Sequence, residues 1–361
     1  MANKHMPYDL AQMQSVPLEG KIIMTQQRIR QWYEYWEGQV YVSFSGGKDS
    51  TVLKHIVDSM YDDVPALFVN TGLEYPEIQK FAMSQKNVVT VRPDMRFDEV
   101  LKIYGYPIIS KQVSNTVNGA RRNIKEGKYS LRLRQLGVER DEYGGLYDSG
   151  LYDYEKTLEK SKFTKNKWRF LLDADFEVSE KCCYHTKKAP SKNYEKQTGR
   201  KPLIATLACE SMTREVAWTK KGCNAFEGKR PSSQPLSFWT EQDILQYIKK
   251  YNVPYCSVYG DIVPTDKEEQ IEGQLTTFDL LNDYEGTLLK TTGCDRTGCI
   301  FCMFGCHLEK EPNRFQRLKE THPRQYEYCI GGGEMVDGKW QPSKEGLGLA
   351  KVLDYIGVKY E

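Results

Sequence analysis

The sequence predicts an α/β fold built on a doubly wound, mostly parallel sheet that is flanked by helices. Two observations support this. Short runs of β-branched and aromatic residues, typical of buried strands, alternate with stretches whose apolar residues recur at helical spacing. The order is strand, helix, strand, helix, strand, which is how a parallel sheet covered on both faces is built. At 361 residues the chain is also long enough to bury a sizeable core.

The first half of the chain gives the clearest pattern. We expect three helices here: one at 19–37 that ends at Gly38, one that begins directly after residues 45–50, and one at 76–85. The expected strands are "VYVSF" (40–44), "VPALFVN" (64–70) and "NVVTVRP" (87–93). Periodicity weakens between 110 and 200. A strand at 201–209 and helices at 210–222 and 240–252 then follow, the last with Thr240 as N-cap, and the tail holds two more helical stretches.

These patterns divide the chain into five regions. We expect an N-terminal helical extension (1–38), a nucleotide-binding core (39–110), a basic, helical or irregular insertion (111–200), the rest of the core (201–260) and a cysteine-rich C-terminal region (261–361). The insertion carries three basic runs; Ser110 to Arg134 alone has seven lysines and arginines against one acid. Such runs are usually solvated faces, but they also suit a polyanionic partner such as a nucleic acid.

Composition excludes some classes of protein. The chain is 39% hydrophobic and 28% charged with a net charge of +2, which is typical of globular proteins. No stretch approaches the ~20 apolar residues of a membrane span, and the N-terminus lacks the apolar segment of a signal peptide. We therefore expect a cytoplasmic protein without a membrane partner; the number of subunits, including a homo-oligomer, stays open.

The stretch "VSFSGGKDSTVL" (42–53) is the strongest local signal. Gly46 and Gly47 allow a tight turn between a strand and a helix, so that backbone N–H groups and the helix dipole form a cradle for an anion. Lys48 adds a positive charge, and Ser45, Ser50 and Thr51 add hydroxyl groups. The alternative is an ordinary strand-to-helix turn. The spacing fits neither the Walker loop nor the dinucleotide-binding G-x-G-x-x-G motif.

Residues 45–50, "SGGKDS", match the PP-loop of the N-type ATP pyrophosphatases, and "FVNTGLEYPE" (68–77) resembles the branch that contains the phosphoadenosine phosphosulfate (PAPS) and adenylyl-sulfate reductases. The resemblance implies an adenine nucleotide alpha hydrolase-like core that binds ATP, adenylyl sulfate or PAPS. Asn70 stands where that family has an aspartate. "CESMTR" (209–214) and "PLSFWTEQDILQYIKKYNVPY" (235–255) resemble further family segments, so the likeness covers 40–110 and 180–305 in the same order.

The implied nucleotide site is large. Its members are Ser43, Ser45, Gly46, Gly47, Lys48, Asp49, Ser50, Thr51, Asn70, Thr71, Gly72, Glu74, Glu210, Ser211 and Arg214. We expect Lys48 to neutralise charge and Asp49 to order the loop or a magnesium-bound water, and we take both as catalytic candidates. Residues 70–74 should line the adenosine side, although Glu74 is equally well explained as a carboxylate at a helix start.

The ten cysteines point to metal or redox chemistry, because the cytosol keeps thiols reduced. The pair in "CCYHTKKAP" (182–190) and the C-x-x-C at 299–302 resemble the ligands of the 4Fe-4S reductases of this family, which implies a cluster on Cys182, Cys183, Cys299 and Cys302. A zinc site made of Cys294, Cys299, Cys302 and Cys306 is the alternative, since four close cysteines satisfy tetrahedral zinc. Unliganded thiols are the third reading.

The resemblance implies an enzyme that reduces activated sulfate to sulfite with a thiol electron donor such as thioredoxin. The family's nucleophilic cysteine, in an E-C-G-x-H motif, is missing; Cys329 is the one candidate in the tail, and an ordinary helix-end cysteine explains it as well. Two other functions therefore stay open. One is an ATP-dependent, iron-sulfur sulfurtransferase acting on tRNA or DNA; the other is a non-catalytic nucleotide-binding regulator.

Overall fold

The structure is a computed structural model that describes residues 4–141, 145–148, 165–265 and 288–361. The α-helices in these ranges are α1 (Pro7–Gln14), α2 (Leu18–Tyr35), α3 (Lys48–Asp58), α4 (Pro76–Ser84), α5 (Phe97–Tyr104), α6 (Lys111–Lys125), α7 (Leu131–Gln135), α8 (Ala189–Thr198), α9 (Met212–Lys221), α10 (Glu241–Lys250), α11 (Arg314–Thr321), α12 (Pro323–Ile330) and α13 (Leu349–Tyr355).

The strands are short. They are β1 (Val40–Phe44), β2 (Ala66–Val69), β3 (Val88–Val91), β4 (Ile108–Ile109), β5 (Val138–Arg140), β6 (Leu146–Asp148), β7 (Lys201–Ile204), β8 (Asn224–Ala225), β9 (Ser232–Ser233), β10 (Ile262–Pro264), β11 (Leu289–Thr291), β12 (Met303–Phe304), β13 (Glu334–Val336) and β14 (Lys339–Gln341). None of the helices in the described ranges has the length and apolar character that crossing a membrane requires.

The chain forms two compact units: Met1–Arg92 with Pro190–Gly298, and Pro93–Ala189 with Cys299–Glu361. The first unit contains a sheet in the order β3-β2-β1-β7-β9-β8. All neighbouring strands in it run parallel except β8 and β9. The predicted fold class, a mostly parallel sheet with helices packed on it, is confirmed. Since β1 lies at the centre, the loop that follows it leaves from the middle of the sheet's carboxyl edge.

Burial explains why β1 is central. Val40, Val42 and Phe44 are each at most 3% exposed and belong to the main hydrophobic cluster, together with Ile29 and Trp32 of α2. Each fully buried side chain of this size contributes roughly 1.5–3 kcal/mol from the removal of apolar surface from water. The cluster therefore fixes β1, and with it the position at which the glycine loop begins.

A buried polar contact joins two helices of the first unit. Lys21 of α2 and Asp243 of α10 form an ion pair of 2.6 Å, and both side chains are almost completely buried. The same carboxylate accepts hydrogen bonds from the backbone N–H and the hydroxyl of Thr240, which caps α10 as predicted. Because a buried charge without a partner is strongly destabilising, this pair restricts how α10 can sit against α2.

The region after residue 110 is more regular than its sequence pattern indicates. Its first part is a 15-residue helix, α6, which begins at the capping residue Ser110. Arg121 of α6 is not solvated: its guanidinium donates to the backbone carbonyls of Phe176, Leu171 and Ala174 at 2.6–2.7 Å. At least one member of the first basic run thus has a structural role in place of a binding one.

Candidate functional site

The glycine loop joins β1 to α3 and needs both of its glycines. Gly46 has a φ of +74°, in the left-handed region that L residues rarely adopt. A Cβ there would also lie 3.1 Å from the carbonyl oxygen of Ile78. Gly47 is extended, but a Cβ on it would lie 3.2 Å from the hydroxyl of Tyr259. Conformation requires glycine at the first position, and close packing favours it at the second.

Hydroxyl groups hold the loop in shape. The backbone N–H of Ser45 donates to Ser50 Oγ at 3.2 Å, and the two serine hydroxyls lie 3.1 Å apart. The hydroxyls of Ser50 and Thr51 donate to the carbonyl of Gly47 at 2.9 and 3.0 Å. Ser43 lies one residue before the end of β1, half-buried. The loop is therefore ordered by its own side chains, which is what a preformed anion cradle requires.

Lys48 is buried and already paired. Its Nζ lies 2.9 Å from Glu241 Oε1 and donates to the carbonyl of Asp295 at 2.5 Å, and its side chain is 7% exposed. An anion on the loop would therefore share or replace the carboxylate of Glu241. This acid was not among the residues predicted from the sequence.

Asp49 faces into the protein. Its Oδ1 is buried and has no hydrogen-bond partner in the described part of the chain. Burial raises the pKa of this carboxyl, and the charges of Lys48, Arg296 and Arg214 oppose that rise. A buried carboxylate oxygen without a partner is destabilising unless something completes it. The chemistry of this oxygen fits the predicted contact with a magnesium-bound water or a ligand proton.

Two residues from a distant part of the sequence cover the loop. The backbone N–H of Lys48, the first of α3, donates to the hydroxyl of Tyr259 at 3.1 Å, and that hydroxyl lies 2.6 Å from Thr297 Oγ1. Burial raises the pKa of Tyr259 to about 12, so the phenol stays protonated. Sequence reasoning missed both residues, because a tyrosine or threonine in a loop carries no signal of its own.

The segment after β2 forms a compact turn. Glu74 accepts hydrogen bonds from the N–H and the hydroxyl of Thr71, at 3.1 and 2.7 Å. Asn70 is 5% exposed, and its Oδ1 accepts from the N–H of Gly72 at 3.3 Å. Gly72 has a φ of +73° and open space where a Cβ would be. A ligand can approach the backbone at that point.

Two arginines share one acid near the start of α9. Glu210 contacts the guanidinium of Arg214, and Arg296 Nη2 lies 3.0 Å from Glu210 Oε1. Ser211 caps the helix, since its hydroxyl accepts from the N–H of Arg214. The site thus holds a third cation, Arg296, which no sequence motif indicated. Two guanidinium groups around one carboxylate can also bind a phosphate or sulfate.

In the second unit, β4 brings the two cysteine motifs together. Met303 and Phe304 of β12 pair in parallel with β4. Two residues before β4, the backbone N–H of Tyr106 donates to the carbonyl of Glu177 at 2.8 Å, and its carbonyl accepts from the N–H of Ser179 at 3.0 Å. The segments that lead to the C-x-x-C at 299–302 and to the pair at 182–183 thus both bond to residues 106–109. Ile109 has a φ of +62°, a strained value for a β-branched residue, as is common at functional sites.

The adjacent cysteines interact directly. Cys182 Sγ donates to Cys183 Sγ across 3.9 Å. This contact lowers the pKa of Cys183, as do the ammonium groups of Lys111 and Lys187, and it raises the pKa of Cys182. One sulfur of the pair is therefore favoured as a thiolate, which is the form that binds metal.

The C-x-x-C sulfurs lie in the same electrostatic environment. Burial raises the pKa of Cys299 to about 11, and Lys187 opposes it. Burial also raises the pKa of Cys302, while the N–H of Phe304 and the charge of Arg314 oppose the rise. Ten free cysteines are found, with no disulfide. Three of the four thiols, those of Cys183, Cys299 and Cys302, are acted on by cationic side chains. Four cysteine sulfurs are the donor set that a 4Fe-4S cluster takes.

Neither predicted set of four cysteines converges on one metal position within the described ranges. Within the described ranges, no three His, Cys, Asp or Glu side chains converge closely enough to share one metal ion. Cys306 is buried and its thiol donates to the carbonyl of Met303 at 3.1 Å. Cys294 belongs to the first compact unit, and Cys299, Cys302 and Cys306 to the second. The zinc set stays a prediction, with Cys306 engaged in another contact.

Cys329 does not have the surroundings of a nucleophile. It lies near the end of α12, is fully buried, and burial raises its pKa well above that of an ordinary thiol. A nucleophilic cysteine needs access and a lowered pKa. The alternative reading, an ordinary helix-end cysteine, agrees with this environment.

Comparison with known proteins places this arrangement in context. The family profile described as the phosphoadenosine phosphosulfate reductase domain matches residues 39–135 and 150–303, well over half of the chain. An uncharacterized protein of Methanocaldococcus jannaschii is 32% identical over 96 residues, which is 25% of this chain and 23% of that protein. The match therefore spans less than a quarter of that relative's length.

One solved structure with a similar chain is the phosphate complex of phosphoadenylyl-sulfate (PAPS) reductase from Candida auris. The similarity covers 64% of this chain and 82% of that chain, at 13% identity and a TM-score of 0.34.

Proposed function

The chain belongs to the phosphoadenosine phosphosulfate reductase family of the PP-loop superfamily, and from that premise we propose that it is an enzyme that reduces a sulfonucleotide to sulfite. The observation that carries the proposal is the cradle at residues 45–51: a loop that requires glycine, leads into a helix N-terminus and holds a buried lysine. Such a corner binds the anionic end of a nucleotide.

Each part of the cradle has a role in this proposal. The backbone of residues 45–47 and the hydroxyl of Tyr259 bind the phosphate or sulfate, and Lys48 neutralises its charge. Arg214 and Arg296 bind a second anionic group, which competes with Glu210 for their donors. Residues 70–74 line the adenosine, where the backbone around Gly72 is open to a ligand.

Cys182, Cys183, Cys299 and Cys302 are the residues that would hold a 4Fe-4S cluster. Such a cluster, when bound, supplies a redox-active centre whose properties are tuned by the surrounding charges. Lys111 and Lys187 favour the thiolate form of Cys183, which metal binding requires. Reduction of an adenylyl sulfate to sulfite and AMP consumes two electrons, so the proposal also needs a thiol donor such as thioredoxin.

One observation favours a second candidate function. In sulfonucleotide reductases a cysteine near the C-terminus attacks the sulfur, whereas Cys329 is buried with a raised pKa. An ATP-dependent sulfur transfer to tRNA or DNA would not need that nucleophile. In that reaction the PP-loop would bind ATP, and activation of the nucleic acid would release pyrophosphate.

Two assays on anaerobically purified protein separate the candidates. Adenylyl sulfate or PAPS with reduced thioredoxin should yield sulfite and no pyrophosphate. ATP with tRNA or DNA should yield no nucleic-acid-dependent pyrophosphate. The reverse pattern would replace the reductase by the sulfurtransferase. Nucleotide binding without either product would favour a regulator, and an absence of nucleotide binding would overturn the role given to residues 45–51.

A further inference from the structure

A basic and aromatic surface lies in the second unit. It is built from α7, from a 3₁₀-helix at Asn166–Leu172 and from a short 3₁₀ turn at Cys306–Leu308. Both α7 and the longer 3₁₀-helix pack on α6. The side chains described below belong neither to the nucleotide site nor to the four predicted cluster ligands, so the surface needs an explanation of its own.

The cations of this surface lack carboxylate partners. Lys165 Nζ donates to the side-chain oxygen of Gln135 at 2.9 Å. Arg132, one turn before Gln135 on α7, donates to a side-chain oxygen of α6 at 3.3 Å. Lys167 Nζ lies 4.7 Å from the ring centre of Trp168. None of the three cations makes an ion pair within the described ranges, so all three charges are available to an anionic partner.

The position of Arg132 is built into α6. Its side chain lies across that helix at Gly119, where a Cβ would overlap the guanidinium. Glycine is unfavourable in the interior of a helix, and here it makes room for the arginine. Burial and, to a smaller extent, the charge of Arg132 lower the pKa of Lys165, as expected of neighbouring cations without an acid between them. The fold thus holds two unneutralised charges together.

Four aromatic rings continue the surface and contact one another. The ring centre of Trp168 lies 5.1 Å from that of His307 and 6.0 Å from that of Phe170. Phe170 is 39% exposed, and it packs at 5.6 Å on Tyr355, which is 37% exposed. The one acid in the stretch 165–173 is its last residue, Asp173, whose charge acts on Tyr355. An exposed ring that is held by its neighbours can stack on a base.

We propose that this surface binds single-stranded nucleic acid, with Arg132, Lys165 and Lys167 on the phosphates and Phe170 and Tyr355 against the bases. Unpaired cations next to exposed rings are what sequence-independent binding of single strands uses. A duplex hides the faces of its bases, and an acidic peptide offers charge without flat rings, so neither uses the whole surface. The proposal goes beyond the reductase activity and does not depend on it.

Salt dependence separates the two parts of the surface. The fluorescence anisotropy of labelled oligo(dT) and oligo(U) of about 20 nucleotides is measured with the full-length protein at several salt concentrations. Lys165→Ala/Lys167→Ala removes two phosphate contacts, so the slope of log affinity against log salt should become shallower by about 1.4. Phe170→Leu, which keeps an apolar side chain without the ring, should weaken binding about fivefold or more and leave the slope unchanged.

Matched variants control for charge, ring and folding. Lys102→Ala/Lys344→Ala, which removes two exposed lysines elsewhere in the same unit, should not change the slope. Lys165→Arg/Lys167→Arg keeps both charges and should keep the slope of the wild-type protein. Tyr35→Leu removes an exposed ring of the first unit and should not change the affinity. Circular dichroism checks that each variant is folded.

Four results would overturn the proposal. The wild-type protein could bind neither oligonucleotide at physiological salt, or a duplex of the same length could bind as tightly. Polyglutamate could compete as well as oligo(dT), or the variants of Lys165, Lys167 and Phe170 could bind as the wild type does. Binding is measured without an adenine nucleotide and without turnover, so its failure is distinguishable from failure of the reductase assay.

Discussion

The cations near the nucleotide loop act on carboxylates, whereas those of the cysteine site act largely on thiols. Among the described residues of the first unit, three cations near the loop have carboxylate partners: Lys48 pairs with Glu241, and Arg214 and Arg296 share Glu210. These cations are therefore paired before a ligand binds. A nucleotide bound there must compete with carboxylates of the protein itself. Its affinity therefore depends on how much stronger its ion pairs with these cations are than the ion pairs that the carboxylates already make.

The cations of the cysteine site act on sulfur atoms. Arg314 pairs with Glu309, and its charge also opposes the rise in the pKa of Cys302, while the ammonium groups of Lys111 and Lys187 favour the thiolate of Cys183. Buried sulfurs with raised pKa values remain protonated until a metal displaces the proton. A ligand of the nucleotide loop must therefore compete with existing ion pairs, whereas a metal at the cysteine site must displace protons from the sulfurs. We expect variants at the two sites to change ligand affinity and metal content, respectively.

The largest effect is expected at the cysteine site. Cys183→Ser removes the sulfur that its neighbours favour as a thiolate, so it should abolish iron binding: brown anaerobic protein should become colourless, and iron and sulfide should fall to background. The exposed Cys209 provides the control, because Cys209→Ser should leave iron content unchanged. Colourless wild-type protein with stoichiometric zinc that is lost on Cys294→Ser would instead establish the zinc set.

The glycine loop should be nearly as sensitive, through its backbone. Gly46→Ala combines a left-handed φ of +74° with a contact of 3.1 Å to the carbonyl of Ile78. We expect a loss of about 1–3 kcal/mol in the free energy of unfolding and loss of nucleotide binding, measured by denaturant titration and calorimetry.

Gly199→Ala is the matched control for Gly46→Ala. Gly199 has nearly the same φ, +73°, but open space around it. The alanine there carries the backbone strain without the steric contact and lies outside the candidate site. Equal destabilisation by the two variants, with nucleotide binding retained in both, would contradict the cradle.

Glu241→Gln tests the competition at the loop directly. The variant keeps the shape of the side chain and releases the charge of Lys48, so an anionic nucleotide should bind about threefold to tenfold more tightly. The range is modest because Glu241 is 38% exposed and the pair is screened by water. The gain should shrink at high salt.

The exposed Glu227 supplies the control for that charge change, as Glu227→Gln should not alter affinity. Weaker binding in Glu241→Gln would mean that this acid assists the ligand, for example through a metal ion, and does not compete with it.

The contrast between the sites also explains what sequence could predict. The strand, loop and helix around Gly46 are local: an apolar β-branched run, two glycines and a helical stripe adjoin one another, and the structure reproduces that order. Glu241 and Tyr259 reach the loop from about 200 positions away, and Arg296 meets Glu210 across 86 positions. Nothing periodic marks them, because tertiary packing alone decides which loop residues meet.

The pattern of charged residues did not predict the role of Arg121, for a similar reason. A run of lysines and arginines indicates a solvated or ligand-binding face, yet Arg121 points into a set of backbone carbonyls. Sequence shows that an arginine is present but not which face of its helix it occupies when the apolar stripe is weak. The two cysteine motifs could be grouped from the sequence only by resemblance, since the backbone contacts of residues 106–109 that connect them are tertiary.

The smallest expected effect concerns Asp49, where function and stability should oppose each other. Burial raises the pKa of this carboxyl, and Oδ1 has no partner among the described residues. The folded state therefore binds the proton more tightly than the unfolded state does. The free-energy cost of burying the charged carboxylate is absent below the ordinary aspartate pKa of about 4, and it develops as pH rises through the pKa of Asp49 in the folded state. Asp49→Asn removes the charge and should stabilise the protein by about 1 kcal/mol at pH 7.

Thermal unfolding of both proteins between pH 4 and pH 8 checks this. The difference in free energy of unfolding should grow with pH, and nucleotide-dependent activity should fall in the variant. Asn70→Asp, which adds a carboxylate at another buried position near the loop, should show the opposite trend, with stability falling as pH rises. A constant difference across the range would mean that Asp49 is already paired in solution, and the nucleotide loop would then be as complete at this residue as it is at Lys48.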